Sequence, residues 1–217
     1  MYQEFVVDKT FFINVIKDLK DMVEENRDYL SKLDSDIGDG DHGINMSIGF
    51  RGVIAKIEEL QEEDISNICR KVGMILLGKI GGASGPLYGS FFMKLGVPVK
   101  GKEKIHFYDF YEMLKAGIEA IENRGKAVVG DKTMVDALRP ALDEFTQAIE
   151  ENKEPLEAFH IFVEASRKGA QTTIPLVAKK GRAMRLGERA IGHIDPGAVS
   201  ATLILETIEN NLIKIAK

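Results

Sequence analysis

The sequence predicts an all-α fold, a barrel or bundle of eight antiparallel, up-and-down helices, and three observations carry that expectation. Apolar residues recur at spacings of three and four through most of the chain. No segment alternates with the period of two that a half-buried strand requires. The links between periodic segments are short, which favours antiparallel neighbours. A chain of 217 residues can form one sizeable domain, which by size scaling buries roughly 70% of its unfolded surface. A single domain over 1–217 is therefore expected.

The first helix is expected over 9–33, where Phe12, Val15, Ile16, Leu19, Met22, Val23, Leu30 and Leu33 form one stripe and Asp8 can cap the start. A second should run from Ile44 to Leu60, with Gly49 and Gly52 signalling close packing and Gln61-Glu62-Glu63 ending it. Asp64 can cap a third helix through Lys79, with Ile65, Ile68, Cys69, Val72, Ile75 and Leu76 inward and Gly81-Gly82 as its stop. A fourth begins after Ser84, with Pro86 suited to a first helical position, and ends at Leu95. Gly96 to His106, with Pro98 and several lysines, reads as a surface loop.

A fifth helix carries Phe107, Phe110, Met113, Leu114, Ile118 and Ile121 until Gly125 ends it. The sixth starts near Thr133 and passes through Pro140, which should bend it, to Glu150. The seventh is expected from Pro155 to Lys180, with Phe159, Phe162, Val163, Ala170 and Leu176 inward and Pro175 as a kink or break. The eighth runs from Gly197 to the chain end and carries Leu203, Leu205, Ile208, Leu212 and Ile215.

Composition narrows the function classes. A net charge of -5 with lysines and arginines scattered along the chain argues against a nucleic-acid partner, whose phosphates require a concentrated basic surface. The single Cys69 cannot form an internal disulfide, and neither a signal segment nor a membrane-spanning apolar run is present. A cytoplasmic protein without a membrane partner is expected.

Up-and-down topology places the connections after the first, third, fifth and seventh helices at one end. These connections, 34–43, 81–85, 125–132 and 181–196, hold most of the Gly, Asp and His residues that lack a helical explanation. In the first, Asp34, Asp36, Asp39 and Asp41 are interleaved with glycines that let the backbone turn back on itself. Carboxylates gathered this way repel unless a cation sits among them, and Mg²⁺, which takes carboxylate and phosphate oxygens, fits; a solvated acidic turn is the alternative. An EF-hand is excluded, because the twelfth positions counted from these aspartates are Asn45, Ser47, Phe50 and Gly52 rather than Glu.

Gly81-Gly82-Ala83-Ser84-Gly85-Pro86 opens a helix and offers backbone N–H groups, a hydroxyl and a positive dipole end to a phosphate, or else is a tight cap. Arg182 can grip phosphate with its fork, and Asp195 can cap the last helix within His193-Ile194-Asp195-Pro196-Gly197. His42 and His193 each fit a phosphate donor or a satisfied structural histidine, whereas His106 and His160 read as structural or surface residues. Tyr88, Phe91 and Phe92 read as core or pocket wall. Neither a helical His/Glu zinc pattern nor a Gly-x-Ser-x-Gly elbow occurs. Metal plus phosphate is what is left, and phosphoryl transfer needs positioning and charge neutralisation more than a side-chain nucleophile.

The motifs Ile37-Gly38-Asp39-Gly40-Asp41-His42-Gly43-Ile44-Asn45-Met46, Gly81-Gly82-Ala83-Ser84-Gly85-Pro86 and Gly192-His193-Ile194-Asp195-Pro196-Gly197, in this order, resemble the L subunit of dihydroxyacetone kinase, the DhaL family. The resemblance spans nearly the whole chain. It implies a barrel of eight antiparallel helices with a nucleotide and two Mg²⁺ at one end. Asp34, Asp39 and Asp41 would ligate the metals, with Asp36 a bystander. His42, Gly43, Asn45, Ala83 and Ser84 would contact phosphates or order the metal shell, and Gly125, Met134, Arg182, Asp195 and Gly197 would surround the nucleotide. Ala83 stands where other members carry Thr, so one hydroxyl contact is missing.

The same resemblance implies a tightly bound ADP coenzyme, with Arg182 as the catalytic residue that meets the moving phosphoryl charge. The partners it implies are a DhaK-type subunit holding dihydroxyacetone and a DhaM-type phosphohistidine donor in a phosphoenolpyruvate-dependent phosphotransferase system. Two alternatives are an ATP-dependent subunit for a short ketose and a nucleotide-loaded module docking on a transcription regulator.

Overall fold

The computed structural model of the protein describes residues 2–216; the domain limits at Met1 and Lys217 and the last residue of the eighth expected helix lie outside them. A short strand β1 (Val6–Asp8) leads into α1 (Lys9–Ile37), followed by α2 (His42–Ile54), α3 (Ile57–Gln61), α4 (Ile65–Lys79) and α5 (Ser84–Leu95). A 3₁₀ turn at Val97–Val99 and strand β2 (Lys104–His106) precede α6 (Phe107–Gly125), α7 (Met134–Glu150) and α8 (Pro155–Thr172). A 3₁₀ stretch at Ala183–Ala190 comes before α9 (Pro196–Ile215). The helices close a ring, α1 on α2, α2 on α4, α4 through α9 in sequence, and α9 back on α1. The all-α expectation holds. Among the described residues no helix is long and apolar enough to cross a membrane.

The expected caps are present. Asp8 accepts the Phe11 N–H (3.2 Å), Asp64 the Asn67 N–H (2.7 Å) and Asp195 the Ala198 N–H (2.7 Å). Thr133 caps α7, whose course continues through Pro140. Several boundaries differ from expectation for local reasons. The segment expected as one helix over 44–60 splits: the Ala55 N–H bonds back to both Arg51 and Val53, tightening the turn, and the short α3 then drops Leu60 into the core. α1 runs on to Ile37, four residues past Leu33. Pro86 is the third residue of α5 rather than its first. Gly125 is the last residue of α6, and it is Lys126 that takes the left-handed cap conformation (φ 51°).

α8 stops at Thr172 instead of Lys180. The Thr173 hydroxyl binds the Ala170 carbonyl (2.7 Å), and Pro175 disfavours a helical conformation at Ile174. Leu176 is consequently half-buried, and Ile215, on the last turn, is 45% exposed; Met22, Leu33, Ile75 and Leu203 are also only half-buried. The loop expected over 96–106 contains β2, which pairs antiparallel with β1 so that Val7 faces Ile105. Both of these residues are buried while their neighbours are exposed.

Inside the ring lies one continuous apolar core. Phe145 stacks on Phe162 with centroids 4.8 Å apart, Phe107 and Phe159 pack edge-on against Phe145, and Phe110 stacks on Phe159. Full burial of each such ring is worth about 1.5–3 kcal/mol. The end of the barrel with the short connections is sealed: the β1–β2 ribbon lies there, Tyr2 Oη donates to the Lys153 carbonyl (2.8 Å) and the Phe107 N–H donates to the Tyr2 carbonyl (3.2 Å). The other end is left for a site.

On the outside, Glu24 of α1 accepts hydrogen bonds from Arg51 Nε (2.8 Å) and Nη2 (2.6 Å) and from the Ser47 hydroxyl (2.7 Å), both on α2. The Arg51 fork, helped by Ser47, outweighs burial and holds the Glu24 carboxyl down to about 2. A depressed folded-state pKa stabilises above the unfolded value and is lost as pH falls through the folded one, a window from about pH 4.5 to 2 here. Glu24→Gln should therefore flatten the acid limb of the stability curve between those pH values. Urea midpoints measured across that range check this, and parallel limbs for the two proteins would remove the pair from the account.

Candidate functional site

The site begins where α1 must turn into α2. The Gly38 N–H closes on the Asp34 carbonyl (2.5 Å), and a Cβ at Gly38 would stand 2.2 Å from Asp34 Oδ1, so only glycine lets the carboxylate pass. Gly40 then takes φ +76°. Asp34 Oδ2 accepts the Asp41 N–H (2.9 Å) and the His42 N–H (3.2 Å), so the end of α1 caps the start of α2. Asp34, Asp39 and Asp41 each offer an oxygen, all within 4.8 Å of one another. Opposite oxygens of a Mg²⁺ octahedron stand about 4.2 Å apart, so this hard donor set suits a divalent ion with little adjustment.

Asp36 lies outside the cluster, on the surface, with its carboxylate 3.7 Å from His193 Nδ1. Arg182 reaches the cluster from the α8–α9 connection; its guanidinium pairs with Asp39 and lies 3.9 Å from Asp41.

Across the cavity, Gly82 takes φ +65° and leads into α5. Ala83, at the N-cap, has no oxygen to offer, so no side chain caps this helix start and its dipole end is open to an anion. Asn45 sits against Gly81, where a Cβ would come 3.0 Å from its Oδ1.

Ser84 is held by His42 Nδ1 (3.1 Å); His42 Nε2 meets Ser200 Oγ (2.9 Å), which in turn meets Tyr88 Oη (2.6 Å). Burial brings the His42 imidazole down to about 4 against the pull of Asp34, so it is neutral. Both of its nitrogens are engaged. His42 thus joins Ser84 of α5 to Ser200 of α9 at the floor of the cavity. His193 stands outside the cavity.

The cavity has a volume of about 470 Å³. Asp34, Asp39, Asp41, His42, Asn45, Ala83, Ser84, Gly125, Met134, Arg182, Asp195 and Gly197 all line it. Gly43 does not: a Cβ there would stand 1.9 Å from the Arg27 carbonyl, so this glycine lets α2 lie against α1. Leu87, Ile121, Ala127 and Val135 form an apolar wall that a planar base can lie on.

The sequence reading missed this wall, along with Arg124, Lys132, Thr133 and Lys180. The 125–132 connection was its only signal. Burial pushes the Asp195 carboxyl up to about 7, against the Ala198 N–H and the Lys132 ammonium that favour its charge. Lys132 itself is held below the usual amine range by burial, with Asp195 and Asp136 opposing.

The DAK2 domain family matches residues 36–210. Over 213 residues the chain is 54% identical to "PEP-dependent dihydroxyacetone kinase 2, ADP-binding subunit DhaL" of Listeria innocua, covering 97% of this chain and 98% of that one. Over 200 residues it is 38% identical to "PEP-dependent dihydroxyacetone kinase, ADP-binding subunit DhaL" of Escherichia coli, covering 92% and 95%. Among solved structures it superposes on the dihydroxyacetone kinase of C. freundii in its native form (TM-score 0.70, 23% identity, 94% of this chain). The same protein in complex with AMP-PNP and Mg²⁺ gives TM-score 0.69 and 24% identity over 91% of this chain. The match covers 34% and 33% of those two C. freundii chains. That likeness establishes a shared fold.

Proposed function

The chain belongs to the DAK2-domain family, and on that premise we propose that it is the ADP- and Mg²⁺-binding phosphoryl-carrier subunit of a phosphoenolpyruvate-dependent dihydroxyacetone kinase. It is a transferase subunit that acts with partners: a DhaK-type subunit that holds dihydroxyacetone and a DhaM-type phosphohistidine donor. The observation that carries this reading is one of placement. Three carboxylates whose oxygens lie within 4.8 Å of one another share a cavity with the uncapped start of α5 and with Arg182.

Asp34, Asp39 and Asp41 are the metal-holding residues of this reading, serving two Mg²⁺ ions, and the α5 N-terminus with Ser84 receives phosphate oxygens. When bound, Mg²⁺ neutralises phosphate charge and fixes its orientation. Met134 and the apolar wall exclude water from the base, and Gly125 and Gly197 keep that wall flat: a Cβ at Gly125 would stand 3.1 Å from Leu87, and one at Gly197 would stand 3.3 Å from Met134. Arg182, paired with Asp39, supplies the positive charge at the phosphate end of the cavity.

Reconstitution with K-type and M-type partners tests the reading. Phosphorylation of dihydroxyacetone should require phosphoenolpyruvate and the M-type donor. Turnover sustained by ATP with the K-type partner alone would overturn the phosphotransferase assignment.

A further inference from the structure

We propose that Lys132 is a positioning residue, a clasp that holds the 173–195 strap shut over the site so that Arg182 and Asp195 stand in the cavity. Lys132 is 1% exposed, and a buried ammonium is costly unless its donors are met. Two of its three are met by the strap. Nζ donates to the carbonyl of Thr173, where the strap leaves α8, and to the carbonyl of His193, two residues before Asp195. One side chain thus ties the two ends of the strap together, and it does so from a third segment.

The backbone bends to allow it. Lys132 takes φ +61°, a left-handed conformation that strains a residue with a Cβ. The loop around it is fixed: Asp136 accepts the Gly130 N–H (2.6 Å) and the Thr133 N–H (2.7 Å), and Asp131 accepts the Val128 N–H (3.1 Å).

The strap has few other anchors. The Asp195 N–H donates to Thr173 Oγ1 (2.9 Å), the Gly192 N–H to the Ile174 carbonyl (2.8 Å) and the Lys179 N–H to the Asp131 carbonyl (3.1 Å). Lys179 and His193 lie 3.7 Å from the Asp131 and Asp36 carboxylates, and a small apolar cluster of Ile37, Ala178 and Ala190 and the Arg182–Asp39 pair add to its seating. Glycines with positive φ at 181 and 192 flank the 3₁₀ stretch of the strap, and one at 187 breaks it. Lys132 therefore adds, beside the Lys179–Asp131 contacts, a polar link from the same rigid loop that reaches both ends of the segment supplying two site residues. Its two bonds are spent on carbonyls, so its part is to place other groups.

The inference rests on the nucleotide reading only for the second of two measurements on the full-length chain. The variants are Lys132→Met, which keeps length and loses the donors, and Lys132→Gln, which keeps a polar end on a shorter stem that cannot bridge both carbonyls. Without nucleotide, amide exchange at Lys179, Gly192 and Asp195 should rise on the order of tenfold in both variants, while amides in α4 and α5 stay unchanged. ADP release, followed with ADP and Mg²⁺, should then accelerate by a similar factor.

Unchanged exchange at those three amides overturns the clasp. Faster exchange with unaltered ADP release overturns the positioning role. If Lys132→Met fails to fold, Lys132→Gln carries the same two outcomes. A wild-type chain that takes up no ADP defeats the nucleotide reading, and the exchange result still decides whether Lys132 closes the strap.

Discussion

Replacing Asp34 with Ala is expected to weaken Mg²⁺-dependent ADP binding on the order of a hundredfold or more, because the half-buried cluster loses one of the three carboxylates that would hold the metal against the phosphates. Asp34 does two things at once. It contributes an oxygen to the three-carboxylate cluster, and its Oδ2 receives the Asp41 and His42 N–H groups that begin α2. The first task needs charge and the second needs only an acceptor. Asp34→Asn separates them, because the amide oxygen can still take the N–H groups while the negative charge is gone. The Ala variant should lose metal, nucleotide and about 1 kcal/mol of stability, typical of a lost helix cap. The Asn variant should lose metal and nucleotide but melt close to wild type. Calorimetric titration with Mg²⁺ and ADP, paired with thermal melts, reads both; an Asn variant that binds within threefold of wild type would take Asp34 out of the metal shell.

Arg182→Ala carries the second large effect, and it falls on transfer more than on binding. The guanidinium lies against Asp39 and 3.9 Å from Asp41, where it offsets carboxylate repulsion. Removing it should leave Mg²⁺ affinity no lower, since a competing cation has gone. A positioned charge that stabilises a moving phosphoryl group is typically worth a factor of about 100–1,000 in rate. Single-turnover phosphoryl transfer in the reconstituted enzyme should fall by that much, with ADP affinity changed by less than about tenfold. Arg182→Lys should recover only part, because an ammonium lacks the planar fork. Equal transfer rates in wild type and the Ala variant would remove the catalytic role.

The helical fold was legible because the 3.6-residue stripe survives along long segments, and the four-loop site because up-and-down topology forces alternate connections together. The acidic triad was legible for a local reason, glycines set between carboxylates. What escaped depends on tertiary context. β1 and β2 are three residues each, too short to show alternation. The stripe continues through Ala170 to Leu176, so periodicity alone carried α8 past Thr173, where a hydroxyl bond and the following proline end it. Gly43 sits inside the acidic motif, yet its need for glycine comes from the carbonyl of Arg27 on the neighbouring helix. Lys132 looks like any lysine before a helix; its left-handed backbone and its two carbonyl partners exist only once the strap is folded over it.

If the cavity holds ADP as a resident coenzyme, as the proposed function requires, the nucleotide should remain with the protein through purification. The purified chain, dialysed extensively with Mg²⁺, is denatured, and the released nucleotide is identified and quantified by chromatography. The account predicts ADP at close to one per chain. A chain that releases no nucleotide, and that binds ATP in fast exchange, would contradict it.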